Sequence, residues 1–366
     1  MQKDRGLVRV GQILEGKALV PKQTSDPRPI PTTEEQKNPQ LSLFQNFLCN
    51  PCERDSLSNV IDLWDSVPRY SVSQQAMTKS RQSGTILKRH TTTLHYMRGE
   101  YECTITPARV VDHDGQERDF YPSANEELVE DALRKMAAEQ HAGFFDKPNL
   151  ASGVIFSLYG LREELAKHGH TRSHQEARLS IDILSGSIIE IRGKNERGEE
   201  MYVKSAYLPA VAAVSQSRLR DDPKAKWVVQ FHPLVTASID KLAYRQFNYG
   251  KMMSHSKHLA RWLHKNLSLK WTGADLIKSF EIRYSTVKRD SGLLNEYSRE
   301  RDGVAALVEA LNELKDRDIL YQYERKDILG PRKKILDAVF LIWPSLDFVS
   351  DVKAANKRKL IAQEKR

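Results

Sequence analysis

The sequence has few cysteines and no long apolar run. Only Cys49, Cys52 and Cys103 occur in 366 residues, and this odd, sparse count argues against a disulfide framework and favours a reducing compartment. No apolar segment approaches the roughly 18–20 residues that a membrane helix requires. The first 16 residues include acids and lack the apolar centre of a secretory signal. We therefore expect a cytoplasmic protein that has no membrane partner.

The residue patterns of common enzymes and metal sites are also missing. The sequence contains no Walker A lysine and no GxGxxG loop, so nothing in it favours nucleotide hydrolysis. Cys49 and Cys52 have zinc-knuckle spacing, but no second pair completes a set of four ligands. A rolling-circle nicking enzyme would carry a His-apolar-His motif, whereas Phe231-His232-Pro233 has one histidine. We predict a protein that is not an enzyme and that uses no metal or cofactor.

What the chain does have is an excess of positive charge. Lys and Arg total 57 against 48 for Asp and Glu, which gives a net charge of +9. Such an excess favours a polyanionic partner, because each neutralised phosphate releases condensed counterions. The alternative is a solvated surface that happens to be basic. Hydrophobic residues make up 40% of the chain, which is enough to bury a core in each of about two or three domains.

Apolar spacing and turn residues predict an α+β protein with tandem winged-helix domains, a flexible N-terminal arm and a basic C-terminal tail. Five prolines among polar residues mark the arm, because proline at that density prevents both helices and sheet ladders. The predicted segments are an arm (1–40), an accessory region (41–122), a first winged helix (123–214), a second winged helix (227–348) and a tail (349–366).

The accessory region contains a block with no acidic residue. Residues 66–99 carry several Lys and Arg side chains together with many Ser and Thr, and all four residue types donate hydrogen bonds to phosphate oxygens. A hairpin follows, with strands at Tyr101–Val111 and Arg118–Tyr121 joined by the turn pair Asp114-Gly115. The candidate DNA contacts in the block are Lys79, Arg81, Lys88 and Arg89.

The first predicted winged helix has the order helix, strand, helix, helix, strand, charged tip, strand. Its first helix is capped by Ser123 or Asn125, and the paired helices are capped by Ser157 and Ser173. In such a domain the second of the paired helices enters a major groove. Its hairpin strands are predicted at Ser187–Arg192 and Met201–Tyr207. The candidate DNA contacts at the entry and open face of this helix are Arg172, Ser173, His174, Gln175 and Arg178.

The second predicted unit repeats this order, with only faint similarity of sequence. We predict a strand at 227–231, helices at 253–267, 273–280 (capped by Thr272) and 298–315, and strands at 320–324 and 334–343, with a polar stretch at 281–297. The last helix carries acids, Glu309 and Glu313, in its C-terminal half, so only its first turn suits DNA.

The second unit supplies the larger set of candidate contacts. Guanidinium groups can make bidentate bonds to guanine or phosphate, and a helix N-terminus favours phosphate. Alternatively, Arg299 and Arg301 pair with Glu296, Glu300 or Asp302 on a solvated face. The candidates are Arg283, Tyr284, Lys288 and Arg289 on the approach, Ser298, Arg299 and Arg301 at the helix start, and Arg325, Lys326, Arg332 and Lys333 at the hairpin tip.

Two segments resemble the winged-helix plasmid replication initiator family. The segments "SKHLARWLHKNLSLKWTGADLIKSF" and "LVEALNELKDRDILYQYER" look like that family's second winged helix, and "SGVIFSLYGLREELAKHGH" fits its first. The resemblance covers roughly residues 125–343, and the longer N-terminal region departs from compact members. It implies binding to direct repeats, or iterons, in double-stranded origin DNA, opening of AT-rich DNA, and recruitment of the host replicative helicase and initiator proteins. It also implies homodimers that repress their own promoter and so control plasmid copy number.

The sequence leaves two other functional classes possible. A tandem winged-helix transcription regulator would bind an inverted repeat as a dimer and need no helicase contact. A scaffold would use its winged helices to bind protein, as the nearly neutral first unit permits. An initiator should bind direct repeats, whereas a regulator should bind a palindrome. A steep salt dependence of DNA binding would distinguish both of them from a protein scaffold.

Overall fold

The computed structural model describes residues 45–364 apart from 51, 54, 84–86, 97–98, 113, 140–141, 195–197, 215–221 and 223–224. The predicted arm, 1–40, lies outside the described residues. The rest forms a mixed α/β fold with two hydrophobic cores. The first takes its residues from between Phe47 and Met253, with Ala362 added, and the second from between Leu259 and Val352. No described helix is long and apolar enough to cross a membrane.

Twelve strands and seven helices surround the first core within the described residues. The strands are β1 (Leu57–Ile61), β2 (His90–Tyr96), β3 (Gly99–Thr106), β4 (Ala108–Val111), β5 (Glu117–Phe120), β6 (Gly143–Asp146), β7 (Ala151–Phe156), β8 (Ile188–Lys194), β9 (Glu200–Ala206), β10 (Ala210–Val214), β11 (Lys226–Gln230) and β12 (Tyr244–Asn248). The helices are α1 (Asp62–Ser66), α2 (Gln74–Gln82), α3 (Ala124–Ala137), α4 (Leu158–Lys167), α5 (His174–Gly186), α6 (Pro233–Asp240) and α7 (Tyr249–Met253). The strands pair in the orders β2-β3-β8-β9, β10-β11-β7-β6, β1-β12 and β4-β5.

Serine caps begin the helices of this part, as predicted. Ser123 and Ser173 each form a capping box with the glutamate three residues later, at the starts of α3 and α5. The Ser157 hydroxyl accepts a hydrogen bond from the Gly160 amide at the start of α4. Each cap satisfies amide donors that have no partner inside the helix. The predicted positions of these three helices are therefore confirmed.

The accessory region and the first unit share one core. Trp64, Tyr101 and Ile105 pack in the same cluster as Leu133 and Ile181. The reason is the pairing of β3 with β8, which places the accessory strand beside the first strand of the hairpin. The predicted division at residue 122 thus does not separate two cores.

The strand predicted to open the second unit belongs to the first. In β11, Trp227 lies opposite Phe156 of β7, and β10 pairs with the other side of β11. As a result, β7 lies in a different sheet from the hairpin β8–β9. The first unit therefore departs from the predicted duplication, in which its first strand would accompany its hairpin.

The second core is built from three helices, a three-stranded sheet and part of the C-terminal helix. The elements are α8 (His258–Lys270), β13 (Phe280–Arg283), α9 (Tyr284–Ser291), α10 (Glu300–Asp316), β14 (Leu320–Leu329) and β15 (Ile335–Pro344). The strand order is β13-β15-β14, so that the strand before the paired helices joins the hairpin.

Two predictions of secondary structure in this unit were wrong. Residues 273–280 form no helix, because Leu276 and Ile277 are 55% and 87% exposed and offer no buried face. The stretch 281–297 contains α9, whose Tyr284 and Val287 are buried although most of its residues are polar.

The C-terminal segment is an ordered helix, α11 (Leu346–Glu364), where the sequence suggested a frayed or disordered basic tail. Its Phe348 and Val352 belong to the second core, whereas Ala362 belongs to the first. The Arg358 side chain pairs with Glu53 of the first part. Helix α11 therefore spans both cores.

Candidate nucleic-acid interface

The start of α10 exposes two arginines. The helix begins at Glu300 with Arg299 as its N-cap residue, and no side chain caps it. The predicted Ser298 cap was wrong, since Ser298 is exposed and lies before the helix. The acids of the first turn, Glu300 and Asp302, stabilise the helix N-terminus instead through the helix dipole.

Neighbouring acids neutralise Arg299 and Arg301 only in part. The Arg299 side chain has no hydrogen bond or ion pair with any described residue. Arg301 is 72% exposed and makes one long contact, 3.5 Å, with Asp302. Glu300 is already engaged, because it accepts hydrogen bonds from the Tyr284 hydroxyl at 2.6 Å and from Lys288 at 2.9 Å. Arg299 and Arg301 are therefore available to an anionic partner.

The acids in the second half of α10 face the start of α8. Glu309 binds the Lys257 ammonium group at 2.7 Å, and Glu313 accepts hydrogen bonds from the backbone amides of Ser256 and Lys257. Burial opposes ionisation of Glu313, but these bonds hold its pKa below the ordinary value. Glu313 is therefore turned towards α8, whereas Glu309 keeps 62% of its side chain exposed beside Lys257.

The exposed ridge of α10 lies to one side of those acids. Arg301, Ala305 and Asn312 are exposed along it, and the Asn312 side chain accepts a hydrogen bond from the Tyr323 hydroxyl of β14 at 2.7 Å. These residues recur at helical spacing, so that a helical wheel places Asn312 on the face of Arg301. Glu309, one turn after Ala305, is 62% exposed beside this ridge, so the first turns of α10 suit a phosphate-lined groove better than its second half.

Helix α9 holds α10 in place and contributes little free charge. Tyr284 is 1% exposed, and its hydroxyl oxygen would lie 2.3 Å from a Cβ atom at Gly303, so only glycine permits this approach. The burial of Tyr284 and its bond to Glu300 raise the pKa of its hydroxyl. Tyr284 thus packs the two helices together, and its burial leaves little of its side chain for the predicted DNA contact.

The other basic residues on the approach have acidic neighbours. Lys288 binds Glu300 as described above, Arg289 binds Asp290 at 2.7 Å, and Arg283 binds Glu281 at 3.0 Å. Arg283 and Arg289 keep 53% and 39% of their side-chain surface exposed. Arg283 can exchange its exposed partner for a phosphate at small energetic cost, because exposed ion pairs contribute little. Arg289 is held more firmly, since Asp290 is only 5% exposed.

The hairpin β14–β15 carries its unpaired cations at the tip. The first strand is longer than predicted, so that Arg325 and Lys326 lie within β14. Arg325 binds Asp327 through two hydrogen bonds of 2.6 and 2.9 Å. Lys326 is exposed. Arg332 and Lys333 form the turn with φ values of 58° and 57°, and neither has an ion-pair partner among the described residues. The tip therefore presents two free positive charges.

In the first unit, the candidate side chains are mostly engaged in local structure. Arg172 donates to Asn125 at 2.7 Å, and Ser173 caps α5. Arg178 lies 3.8 Å from Asp182, His174 is half-buried, and Gln175 is exposed. These residues begin or flank α5, whose other end is covered because Gly186 packs against Ala108 of β4. This helix is consequently a poorer candidate for a groove-reading element than α10.

Of the four candidates in the acid-free block, one arginine is structural and three cations are exposed. Arg81 donates to the Asp119 carbonyl oxygen at 2.8 Å and lies 4.2 Å from the Phe120 ring centroid, which fixes α2 to the hairpin β4–β5. Burial lowers the pKa of Arg81. Lys79, Lys88 and Arg89 are exposed, and the last two directly precede β2.

The cysteine and histidine motifs do not form a metal site in the described part of the chain. Cys49 is 1% exposed, and its thiol, whose pKa burial raises to about 11, lies 3.5 Å from the Leu57 carbonyl oxygen. A protonated thiol is a poor metal ligand. His232 is also buried, and its Nδ1 atom accepts a hydrogen bond from the Leu234 amide.

Comparisons with known proteins find distant structural likeness alone. No protein-family model matches the sequence, and no curated protein sequence does so at a significant level. The chain is similar to domains 2 and 3 of RctB, with a TM-score of 0.43 and 10% identity over 71% of this chain and 92% of that one. A second structure of these domains gives 0.41 and 10% over 73% and 95%. The Pi initiator protein in complex with iteron DNA gives 0.40 and 13% over 66% and 98%.

Proposed function

We propose that this protein is a replication initiator that binds repeated sites in double-stranded origin DNA through winged-helix units. The observation that carries the proposal is the second unit. Its order of helix, strand, two helices and hairpin, with β13 paired to β15, is what a winged helix requires. The exposed arginines at the start of α10 and the free cations at the hairpin tip belong to one unit, where a recognition helix and a wing would hold the same duplex.

In this mechanism, α10 enters a major groove with Arg299 and Arg301 at its leading end. A guanidinium fork there makes bidentate bonds to guanine or phosphate. Arg332 and Lys333 of the wing neutralise backbone phosphates and add affinity without sequence preference. The first unit would occupy the next major groove of the same face, about 34–36 Å away. Its contacts would be fewer, since its candidate side chains are mostly engaged.

The wider role follows the resemblance stated from the sequence. The initiator would act without enzymatic chemistry in the cytoplasm, open adjacent AT-rich DNA by bending it, and recruit the host helicase and initiator proteins. Cooperative binding to several repeats offsets the free energy of the bend. A homodimer would repress the protein's own promoter and so control plasmid copy number.

Footprinting of the purified protein on the DNA that flanks its own gene tests this proposal. We expect protection of several direct repeats beside an AT-rich segment. A single protected palindrome at the promoter would favour the dimeric transcription regulator instead. Absence of protection at moderate salt would reject both DNA-binding functions.

A further inference from the structure

An open groove of about 470 Å³ separates β2 from the helices of the second unit. Thr91, Thr92 and Thr93 line one wall, and Ser285, Lys288 and Arg289 of α9 line the other. Glu300 at the start of α10 also lines it, with its charge balanced by Lys288. The groove therefore adjoins the helix proposed to read DNA.

The wall formed by β2 is the edge of a sheet, and α9 packs beside this edge. This strand is the outermost in the order β2-β3-β8-β9, and β3 covers only one of its sides. On the other side, no backbone hydrogen bond joins β2 to any described residue. Edge strands present unpaired amide groups, which can donate hydrogen bonds to a partner that carries acceptors.

Positive charge lies at the entrance to this edge. Lys88 and Arg89 are exposed and precede Thr91 by three and two residues, so they lie within about 10 Å of it along the chain. His90 is hydrogen-bonded to Ser71 at 3.1 Å, and Ser71 packs against Gly292 at the end of α9. This contact places the entrance beside the end of α9 that carries Arg289.

The chemistry of the groove favours a phosphate backbone over a peptide strand. The β2 wall is made of threonines, and the segment around it, 66–99, contains no acid. The acid next to this wall on the same sheet is Glu102 of β3, opposite Thr93. A peptide that added a strand to this edge would need apolar pockets for its alternate side chains. Hydroxyl groups, amides and free cations are instead the donors that bind phosphate oxygens.

We infer that β2, with Lys88 and Arg89, is a second DNA-binding wall that grips the backbone of the duplex held by α10. This inference rests on the proposed function and extends it to the accessory region. The region would then act as a clamp on the phosphates that flank the major groove read by the second unit. It would increase affinity on every sequence and add no base preference.

The test measures binding of the full chain to a labelled 40-bp duplex of random sequence by fluorescence anisotropy across a salt series. We expect Lys88→Ala with Arg89→Ala to reduce the slope of log affinity against log salt by about 1.8, which corresponds to two phosphates. Affinity near 0.1 M salt should fall by about tenfold or more. The matched control, Lys353→Ala with Lys357→Ala, removes the same charge from exposed positions on α11 and should leave the slope unchanged.

A second pair of variants tests the groove itself. Thr91 is exposed, and its hydroxyl contacts Thr104, so Thr91→Glu and Thr91→Gln lose the same contact and differ in charge. We expect Thr91→Glu to bind the duplex at least about fivefold more weakly than Thr91→Gln, because a carboxylate repels phosphate. Equal binding by this pair, or equal slopes for the two double variants, would overturn the inference. Failure of the parent chain to bind any duplex would instead reject the proposed function.

Discussion

At the scale of single residues, the free charges are distinguished by what their neighbours already bind. Arg299 and Arg301 are surrounded in sequence by Glu296, Glu300 and Asp302, which made a neutralised surface a reasonable expectation. Glu300 is engaged by Tyr284 and Lys288, and Glu296 accepts a hydrogen bond from the Ser73 amide at 3.3 Å. Tertiary contacts of this kind decide which charges stay available, and no local sequence pattern contains them.

We predict that Arg299→Ala with Arg301→Ala weakens binding to the target repeat by about 30-fold or more, which corresponds to about 2 kcal/mol. Each lost base contact should contribute about 1–3 kcal/mol. The circular dichroism spectrum and unfolding midpoint should not change, since both side chains are exposed. A gel-shift titration measures the effect, with Lys353→Ala and Lys357→Ala as the charge-matched control. Unchanged affinity would remove the start of α10 from the interface.

The buried side chain of His232 should make the stability of the fold depend on pH. His232 stacks on Trp64 with ring centroids 4.3 Å apart, and burial lowers its pKa from 6.5 to about 3. Because the folded pKa is depressed, the unfolded chain binds a proton first as the pH falls below 6.5. The stability that the neutral ring contributes is therefore full above pH 6.5 and is lost progressively towards pH 3, by about 2 kcal/mol at pH 5.

The variant His232→Asn isolates this contribution. Asparagine keeps an acceptor for the Leu234 amide at the start of α6 but does not titrate. We expect the unfolding free energy of the variant to fall less than that of the parent between pH 7 and pH 5, by about 2 kcal/mol. Urea titrations at both pH values measure it. Equal losses in the two proteins would show that His232 is protonated in the folded chain.

At the scale of elements, capped amphipathic helices could be predicted from sequence and polar ones could not. Ser123 and Ser173 begin helices where a serine precedes a glutamate by three residues, a local signature. Helix α9 was missed because its buried positions include Asp290 and Ser291. The absent helix at 273–280 shows the reverse, since apolar residues such as Ile277 stay exposed.

The candidate site was predicted to a similar extent. Exposed cations at Arg299, Arg301 and the hairpin tip could be located from the pattern of helix and strands. The exposed ridge of α10 through Asn312 could not be predicted, because it depends on the hydrogen bonds that turn Glu313 towards the start of α8. The role of β2 could not either, since its position opposite α9 is a long-range contact.

The hairpin as an element yields its own prediction. Arg332 and Lys333 adopt left-handed backbone conformations. Asparagine, which is uncharged, tolerates this conformation better than most other residues except glycine. Arg332→Asn with Lys333→Asn should therefore keep the turn and remove both charges. We expect a salt slope lower by about 1.8, with weaker binding on all sequences alike.

The same anisotropy assay on specific and random duplexes checks this result. Lys326→Asn serves as a reference, since it removes one exposed charge from the strand β14 instead of the tip. A slope identical to that of the parent would show that the tip does not touch phosphate. A loss confined to one sequence would show that the tip reads bases.

At the scale of the whole molecule, buried charge and α11 join the two cores. Lys265 of α8, in the second unit, binds Glu127 and Asp131 of α3 at 2.7 and 2.9 Å, and all three side chains are at most 4% exposed. His258 adds a contact to Glu127 at 2.9 Å. Since these bonds require exact placement of both helices, they fix the orientation of the second unit on the first. The proposed DNA contacts on β2 and α10 depend on that orientation.

We predict that Lys265→Met lowers the unfolding free energy by about 3 kcal/mol, because it removes the cation that two buried carboxylates share. Glu127 then keeps only His258 and Arg261, and Asp131 keeps only Arg134. The matched control is Lys270→Met on the same helix, where the side chain is 37% exposed and lies 3.5 Å from Asp290. It should lose at most about 1 kcal/mol. Urea unfolding followed by circular dichroism gives both values.

Hydrogen exchange resolved by element shows where that loss is felt. If the ion network orients the units, amides of β14 and β15 in the Lys265 variant should exchange faster than those of β3 and β8, as the second core opens by itself. Duplex affinity should fall although Lys265 is too deeply buried to contact DNA. Equal destabilisation by the two methionine variants, or uniform exchange in both cores with parental affinity, would mean that α11 and apolar packing suffice to hold the units together.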